Sequence, residues 1–170
     1  MNLEHIRGNE KFNLITDTEL VFLHGLVSSK NPKTVVEIGG GREGFSTRVF
    51  LDAIKKRSDS CLFSIDILEM VKRSNNHITI QKSCSDVRLD DLNFRKIDIL
   101  FLDAHTVIPQ LDFYNYMVDK KLITDNTIII LHDTNLLYEP YINNNLIEKN
   151  TYLSDGVLFE KIIYYYFIIM

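Results

Sequence analysis

Carboxylates, imidazoles and a glycine cluster recur in this chain just where apolar β-type runs end. Thr34-Val35-Val36-Glu37-Ile38 leads into Gly39-Gly40-Gly41-Arg42-Glu43-Gly44 and then into Phe45-Ser46-Thr47. Asp66 closes a second run, Asp103-Ala104-His105 a fourth and His132-Asp133-Thr134 a fifth, while Ser83-Cys84-Ser85-Asp86 follows a short third. Glycines permit positive φ and let a ligand approach the backbone. A helix opening at Phe45-Ser46 would aim free N–H groups and its positive dipole end at that ligand. Carboxylates can accept hydrogen bonds from hydroxyl groups, take a proton or hold a hard divalent ion. An imidazole, with an unperturbed pKa of about 6.5, suits proton transfer near neutral pH. A single acid at a strand end carries little weight, since loop starts favour Asp. The convergence of several is the signal.

The elements that would position these residues alternate. Thr16 to Ser28 carries a helical stripe at Leu20, Val21, Leu23, Leu26 and Val27, with Thr16 or Asp17 as its cap and Asn31-Pro32 as its stop. Strands are expected at Thr34–Ile38, Cys61–Ile67, Ile78–Gln81, Ile97–Leu102 and Thr127–Leu131, and helices at Phe45–Lys56 and Pro109–Lys121. Strand–helix alternation predicts a Rossmann-like, doubly wound, mostly parallel α/β sheet. In such sheets ligands bind outside the carboxyl ends of the strands. Repeats, Gly/Ser linkers and a domain boundary are lacking, so residues 1–170 read as one domain.

Bulk properties exclude some partners. A net charge of −4 without a basic run argues against nucleic acid. No signal-peptide segment is evident, and the apolar run Ile162–Met170 is too short to span a bilayer. Cys61 and Cys84 have neither zinc nor thioredoxin spacing, so a cytoplasmic protein without membrane contact is expected. Ile162–Met170 reads as core packing or as a contact between identical subunits.

The ordered motifs Glu-Ile-Gly-Gly-Gly, Ser-Ile-Asp-Ile, Ile-Leu-Phe-Leu-Asp-Ala-His-Thr and Ile-Ile-Leu-His-Asp-Thr resemble class I S-adenosylmethionine-dependent methyltransferases over roughly Thr16 to Asn135. The small-molecule O-methyltransferase and cephalosporin-hydroxylase-like branches are the most similar. The resemblance implies an S-adenosylmethionine cofactor, with Glu37, Gly39, Gly41, Gly44 and Ser46 around its methionine part. It implies Asp66 on the ribose hydroxyls and Ser85 and Asp86 beside the adenine. It places Asp103 and His105 at the acceptor of a small-molecule substrate as catalytic residues. Asp103, His132 and Asp133 match positions that hold a divalent metal in metal-dependent relatives. Two carboxylates would suit Mg²⁺, and a His132 ligand a softer ion such as Mn²⁺ or Zn²⁺. Taken alone, His132 reads as a strand-end hydrogen-bonding residue.

Two features depart from the family pattern. Glu43 delays the closing glycine, Gly44, by one residue, and His105 follows Asp103 by two positions where three are commoner. The family's closing antiparallel strand pair also has little sequence left to form it: the terminal Tyr-Tyr-Tyr-Phe-Ile-Ile run reads either as one such strand or as the helix before the pair, which would leave the C-terminal sheet edge truncated. A methyltransferase acting on a hydroxyl is the principal expectation. A non-catalytic binding module of the same fold and an NAD-dependent oxidoreductase stay open, because Gly39-Gly40-Gly41-Arg42-Glu43-Gly44 also satisfies Gly-x-Gly-x-x-Gly.

Overall fold

The computed structural model describes residues 1, 3–7, 15–42, 44–104, 107–132, 157–161 and 166–167. A short helix α1 (Leu3–Arg7) precedes α2 (Asp17–Lys30), and β1 (Thr34–Ile38) follows. Next come α3 (Phe45–Ile54), β2 (Cys61–Asp66), β3 (His77–Gln81), a 3₁₀ turn (Cys84–Asp86), β4 (Ile99–Leu102), α4 (Val107–Asp119) and β5 (Ile128–His132). The chain closes with β6 (Val157–Lys161) and β7 (Tyr166–Phe167). The sheet order is β3-β2-β1-β4-β5-β6-β7. β1 to β5 pair in parallel, and β6 and β7 add antiparallel. The order reverses at β1, which is where a doubly wound sheet opens its binding crevice.

Of the two readings of the C-terminal run the strand holds: an antiparallel edge is made, by one five-residue strand and one two-residue strand. Apart from Tyr166–Phe167, the Ile162–Met170 segment lies outside the described residues. Among the described residues no helix is long and apolar enough to cross a membrane.

Strand alternation sorts the core into two layers. Val36, Ile38, Phe63, Ile65, Leu100 and Leu102 face one side with Phe113 and Met117 of α4. Val35, Leu62, Ile99 and Phe101 face the other with Leu20, Leu23 and Val27 of α2 and Val49, Phe50 and Ile54 of α3. Phe50 meets Phe101 edge to face, ring centroids 5.4 Å apart. By the same alternation Glu37 and Ser64 point to the α3 layer, so the acid of β1 is aimed at the first turn of the following helix.

Two local devices fix how α2 and β1 enter this arrangement. Thr16 and Glu19 form a reciprocal capping box: Glu19 N–H donates to Thr16 Oγ1 (3.2 Å) and Thr16 N–H to Glu19 Oε2 (2.6 Å). Asn31, left-handed at φ 54°, ends α2 ahead of Pro32, where the sequence predicts the stop. Asp98, the polar residue just before β4, accepts the N–H groups of Lys33 (2.7 Å) and Thr34 (2.9 Å) through Oδ2 and so ties the start of β1 to that of β4. Asp98→Ala leaves these donors without their acceptor and should cost about 1–3 kcal/mol in urea denaturation. Asp98→Asn keeps an acceptor oxygen and should cost less; equal losses in the two variants would contradict the assignment.

Candidate functional site

A cavity of about 490 Å³ opens at the carboxyl ends of β1, β2 and β4. Its floor is the glycine turn. Gly39 holds φ 91°, and a Cβ there would stand 2.7 Å from the Asp103 and Ala104 backbone, so only glycine lets β1 and β4 close at this point. Gly41 and Gly44 are also left-handed, at φ 60° and 58°. Gly44 opens α3, its carbonyl accepting the Arg48 N–H at 2.9 Å. Glu43 itself lies outside the described residues.

Beneath the turn lies Glu37, with no exposed surface. Its Oε1 accepts the Ser46 hydroxyl, and its Oε2 accepts Thr47 (2.6 Å) and Ser64 (2.7 Å). Gly40 passes directly over it: a Cβ there would come within 2.8 Å of Oε2. Burial pushes the Glu37 carboxyl above the usual carboxylate range, against the pull of the hydrogen bonds from Ser46, Thr47 and Ser64, while the charge of Asp103 adds to the rise. The network continues outward. The Arg73 N–H donates to His77 Nδ1 (3.1 Å), which places the ring hydrogen on Nε2 for donation to Ser64 Oγ (3.0 Å). Burial, with Arg73 and Lys72 nearby, lowers the His77 pKa to about 4, so the ring is neutral in the folded protein at neutral pH.

Asp66, at the end of β2, forms the next wall. Its Oδ2 accepts the Gly41 N–H and its Oδ1 the Leu68 N–H, both at 2.9 Å. The carboxylate therefore braces the turn while bordering the cavity, and each oxygen retains capacity for one further donor. Ile38, Ile65, Ile67 and Leu68 supply apolar wall, and Lys82, Ser83 and Cys84 close that side. Burial raises the Cys84 thiol to about 11, which keeps it protonated and unreactive at neutral pH.

Opposite stands Asp103, at the end of β4. Its Oδ1 lies 2.7 Å from His132 Nδ1, and His132 Nε2 lies 3.5 Å from Glu19 Oε1. Burial alone would raise the Glu19 carboxyl, but His132 and the Thr16 N–H and hydroxyl hold it below its usual value. Gln110 at the start of α4 is fully buried and donates to the Ala104 carbonyl, which pins the residues that follow β4.

Most of the expected residues come together, with corrections. Gly39, Gly41, Gly44, Ser46, Asp66, Asp103 and His132 all border the cavity. Glu37 does not; strand alternation turns it into the sheet layer, where it supports the turn. Ser46 borders the cavity, but its hydroxyl is directed to Glu37. Ser85 and Asp86 are displaced by one turn of 3₁₀ helix, and Ser83 and Cys84 take the wall position. His105 and Asp133 lie outside the described residues. Among the described residues no three His, Cys, Asp or Glu side chains converge as a metal would require. Glu19 escaped sequence reasoning as a site residue. Its capping-box spacing to Thr16 was legible, but its approach to His132 arises only from packing α2 beside β5.

No protein-family model and no curated protein matches the chain. Solved structures do. The MycE methyltransferase of the mycinamycin biosynthetic pathway, in complex with Mg, SAH and mycinamycin VI, is 18 % identical, covering 81 % of this chain and 38 % of its own, with a TM-score of 0.58. SAH-bound PaMTH1 methyltransferase from Podospora anserina is 15 % identical over 76 % of this chain and 58 % of its own, with a TM-score of 0.57. CalS11, a TDP-rhamnose 3'-O-methyltransferase of calicheamicin biosynthesis, is 9 % identical over 91 % and 90 %, with a TM-score of 0.59. The chain thus spans less than two thirds of the first two. These likenesses establish the fold alone: a Rossmann-like α/β sheet shared with these structures.

The His77–Ser64–Glu37 chain makes stability pH-dependent. A histidine with a depressed folded pKa binds its proton more weakly folded than unfolded. Its contribution is complete above pH 6.5 and is lost as pH falls toward about 4, at up to about 1.4 kcal/mol per unit. Glu37, raised by burial, contributes with the opposite sign over the same range, so the readout is the difference between proteins: urea denaturation of His77→Asn should lack the His77 share of the slope that the unaltered protein carries. An unchanged slope in the variant would refute the assignment.

Proposed function

We propose that this chain binds S-adenosylmethionine in the 490 Å³ cavity and transfers its methyl group to a hydroxyl of a small molecule. The observation that carries this reading is the joint placement of the glycine turn, Asp66 and Asp103 on one cavity, with the turn locked to Asp66 through the Gly41 N–H. The volume suits a nucleoside-sized ligand. The wall is divided as such a ligand needs: polar backbone and carboxylate at the turn, isoleucine and leucine beyond it. Asp66 and Asp103 are carboxylates beside which a cationic sulfonium is favoured, with Arg42 and Lys82 also among the lining residues. The methyltransferase-like structures with SAH support the same cofactor class.

When bound, S-adenosylmethionine supplies an electrophilic methyl group. The chain's own residues hold and align. Gly39, Gly41 and Gly44 let the methionine part approach the backbone, and the first turn of α3 presents N–H groups to its carboxylate. Asp66 accepts from the ribose hydroxyls, Ser83 and Cys84 border the base, and Asp103 accepts a hydrogen bond from the acceptor hydroxyl and takes its proton. His105, two residues on, is a second candidate base. Orientation of the acceptor is worth several kcal/mol of barrier. Of the residues expected to hold a divalent ion, Asp103 and His132 lie 2.7 Å apart, and Asp133 lies outside the described residues.

Calorimetric titration with S-adenosylmethionine, S-adenosylhomocysteine and NAD tests the cofactor class. The first two should bind and NAD should not; preference for NAD overturns the reading. Asp66→Ala should weaken S-adenosylhomocysteine by about ten- to a hundredfold, the roughly 1.5–3 kcal/mol of a charged hydrogen bond. Undiminished affinity would remove Asp66 from the cofactor site. Tight binding without methyl transfer to any hydroxyl acceptor would instead identify a binding module of this fold.

A further inference from the structure

The segment between β2 and β3, residues 67–76, has neither helix nor strand of its own. Apolar packing does little to hold it, since Ile67 and Val71 are 70 % and 67 % exposed. Polar contacts fix it instead. Asp66 Oδ1 accepts the Leu68 N–H at its start, and near its end the Arg73 N–H donates to His77 Nδ1 at 3.1 Å. The Arg73 side chain reaches back to the glycine turn. Its Nη2 donates to the Arg42 carbonyl at 3.3 Å and stands 3.3 Å from where a Cβ of Gly44 would lie. Arg73 is outside the cavity lining, so it meets the turn from behind the site.

Both ends of Arg73 thus reach the supports of one turn. Its guanidinium holds a carbonyl that lies between two left-handed glycines, Gly41 and Gly44. Its backbone N–H joins it to His77, which donates to Ser64 Oγ, and Ser64 donates to the buried Glu37 carboxylate. Glycine has the widest choice of φ and ψ, so a turn built on it needs outside contacts to keep one path. A guanidinium suits that task, because it is always charged and carries five donors in a rigid fork on a long stem.

We propose that Arg73 is a positioning residue that clasps the β2–β3 segment to the glycine turn and so holds the turn in the path on which the cofactor is received. Glu37 supports that turn from beneath, Asp66 ties it at Gly41 from the cavity side, and Arg73 holds it at Arg42 from outside. What the clasp does for a ligand rests on the S-adenosylmethionine reading. Its ordering of the turn does not, and is measured without ligand.

Amide hydrogen exchange of the ligand-free full chain, followed by nuclear magnetic resonance, tests the clasp. Arg73→Met keeps an aliphatic stem and removes every side-chain donor. It should speed exchange of the Gly41 N–H, which Asp66 accepts, by about tenfold, and leave amides in the middle of β1 unchanged. Arg73→Lys, which keeps the charge and a donor, should recover most of the protection. Calorimetry should then show Arg73→Met binding S-adenosylhomocysteine about tenfold more weakly than the unaltered protein, with Arg73→Lys in between. Unchanged Gly41 exchange in Arg73→Met would overturn the proposal. Faster exchange through β1 as well would also overturn it, because Arg73 would then support the fold at large. A loosened turn with undiminished affinity would overturn its bearing on the cofactor. If the unaltered protein binds no S-adenosylhomocysteine, the cofactor reading fails, and the exchange comparison still decides the clasp.

Discussion

A carboxylate with no solvent contact, Glu37, is the constraint on which the rest of the site depends. Three hydroxyls from two elements converge on it: Ser46 and Thr47 in the first turn of α3, and Ser64 in β2. An isolated buried carboxylate would be costly, so the helix start and the neighbouring strand are committed to positions that satisfy it. With α3 and β2 placed, the glycine turn has one path between them, over the carboxylate at Gly40 and against the β4 backbone at Gly39. The left-handed glycines are consequences of that path. Asp66 then locks the turn from the other side, and the cavity is what remains between them.

This division of labour separates support from contact. The residues that hold the turn are buried, satisfied by one another and turned away from the cavity. Those that face it, Asp66, Ser83, Asp103 and the turn backbone, are held by those behind them. Asp66 belongs to both groups, since it accepts two backbone N–H groups while bordering the opening. On the β4 side of the cavity the same logic recurs, with Gln110 behind Ala104 and His132 beside Asp103. Geometry at a site of this kind is only as firm as its supporting contacts, and here they are drawn from α2, α3, α4 and the sheet.

The fold was largely legible because its signals are local. The run Thr34–Ile38, the stop at Asn31-Pro32 and the β-rich stretch ending at Leu131 each became elements within a few residues of expectation. The parallel strand order follows from alternation with helices. Side-chain direction was less legible. Glu37 sits next to the glycine turn in sequence, which suggests ligand contact, yet the period-2 alternation that buries Val35 with α3 also turns Glu37 there. Ser85 and Asp86 carry the right chemistry, but a 3₁₀ turn presents Ser83 and Cys84 in their stead. Glu19 was invisible because its partner lies more than a hundred residues away and only helix packing brings them together. Local pattern predicts where an element lies; which atom faces the cavity is decided by the layer behind it.

The account's central claim is that these supports shape the cavity for an S-adenosyl ligand. A crystal structure of the full chain grown with S-adenosylhomocysteine tests it most directly. The ligand should lie over Gly39–Gly44 with its ribose hydroxyls on Asp66, and with the Glu37 carboxylate still held by Ser46, Thr47 and Ser64. A ligand bound elsewhere, or a cavity that must break the Glu37 contacts to admit it, would contradict the account.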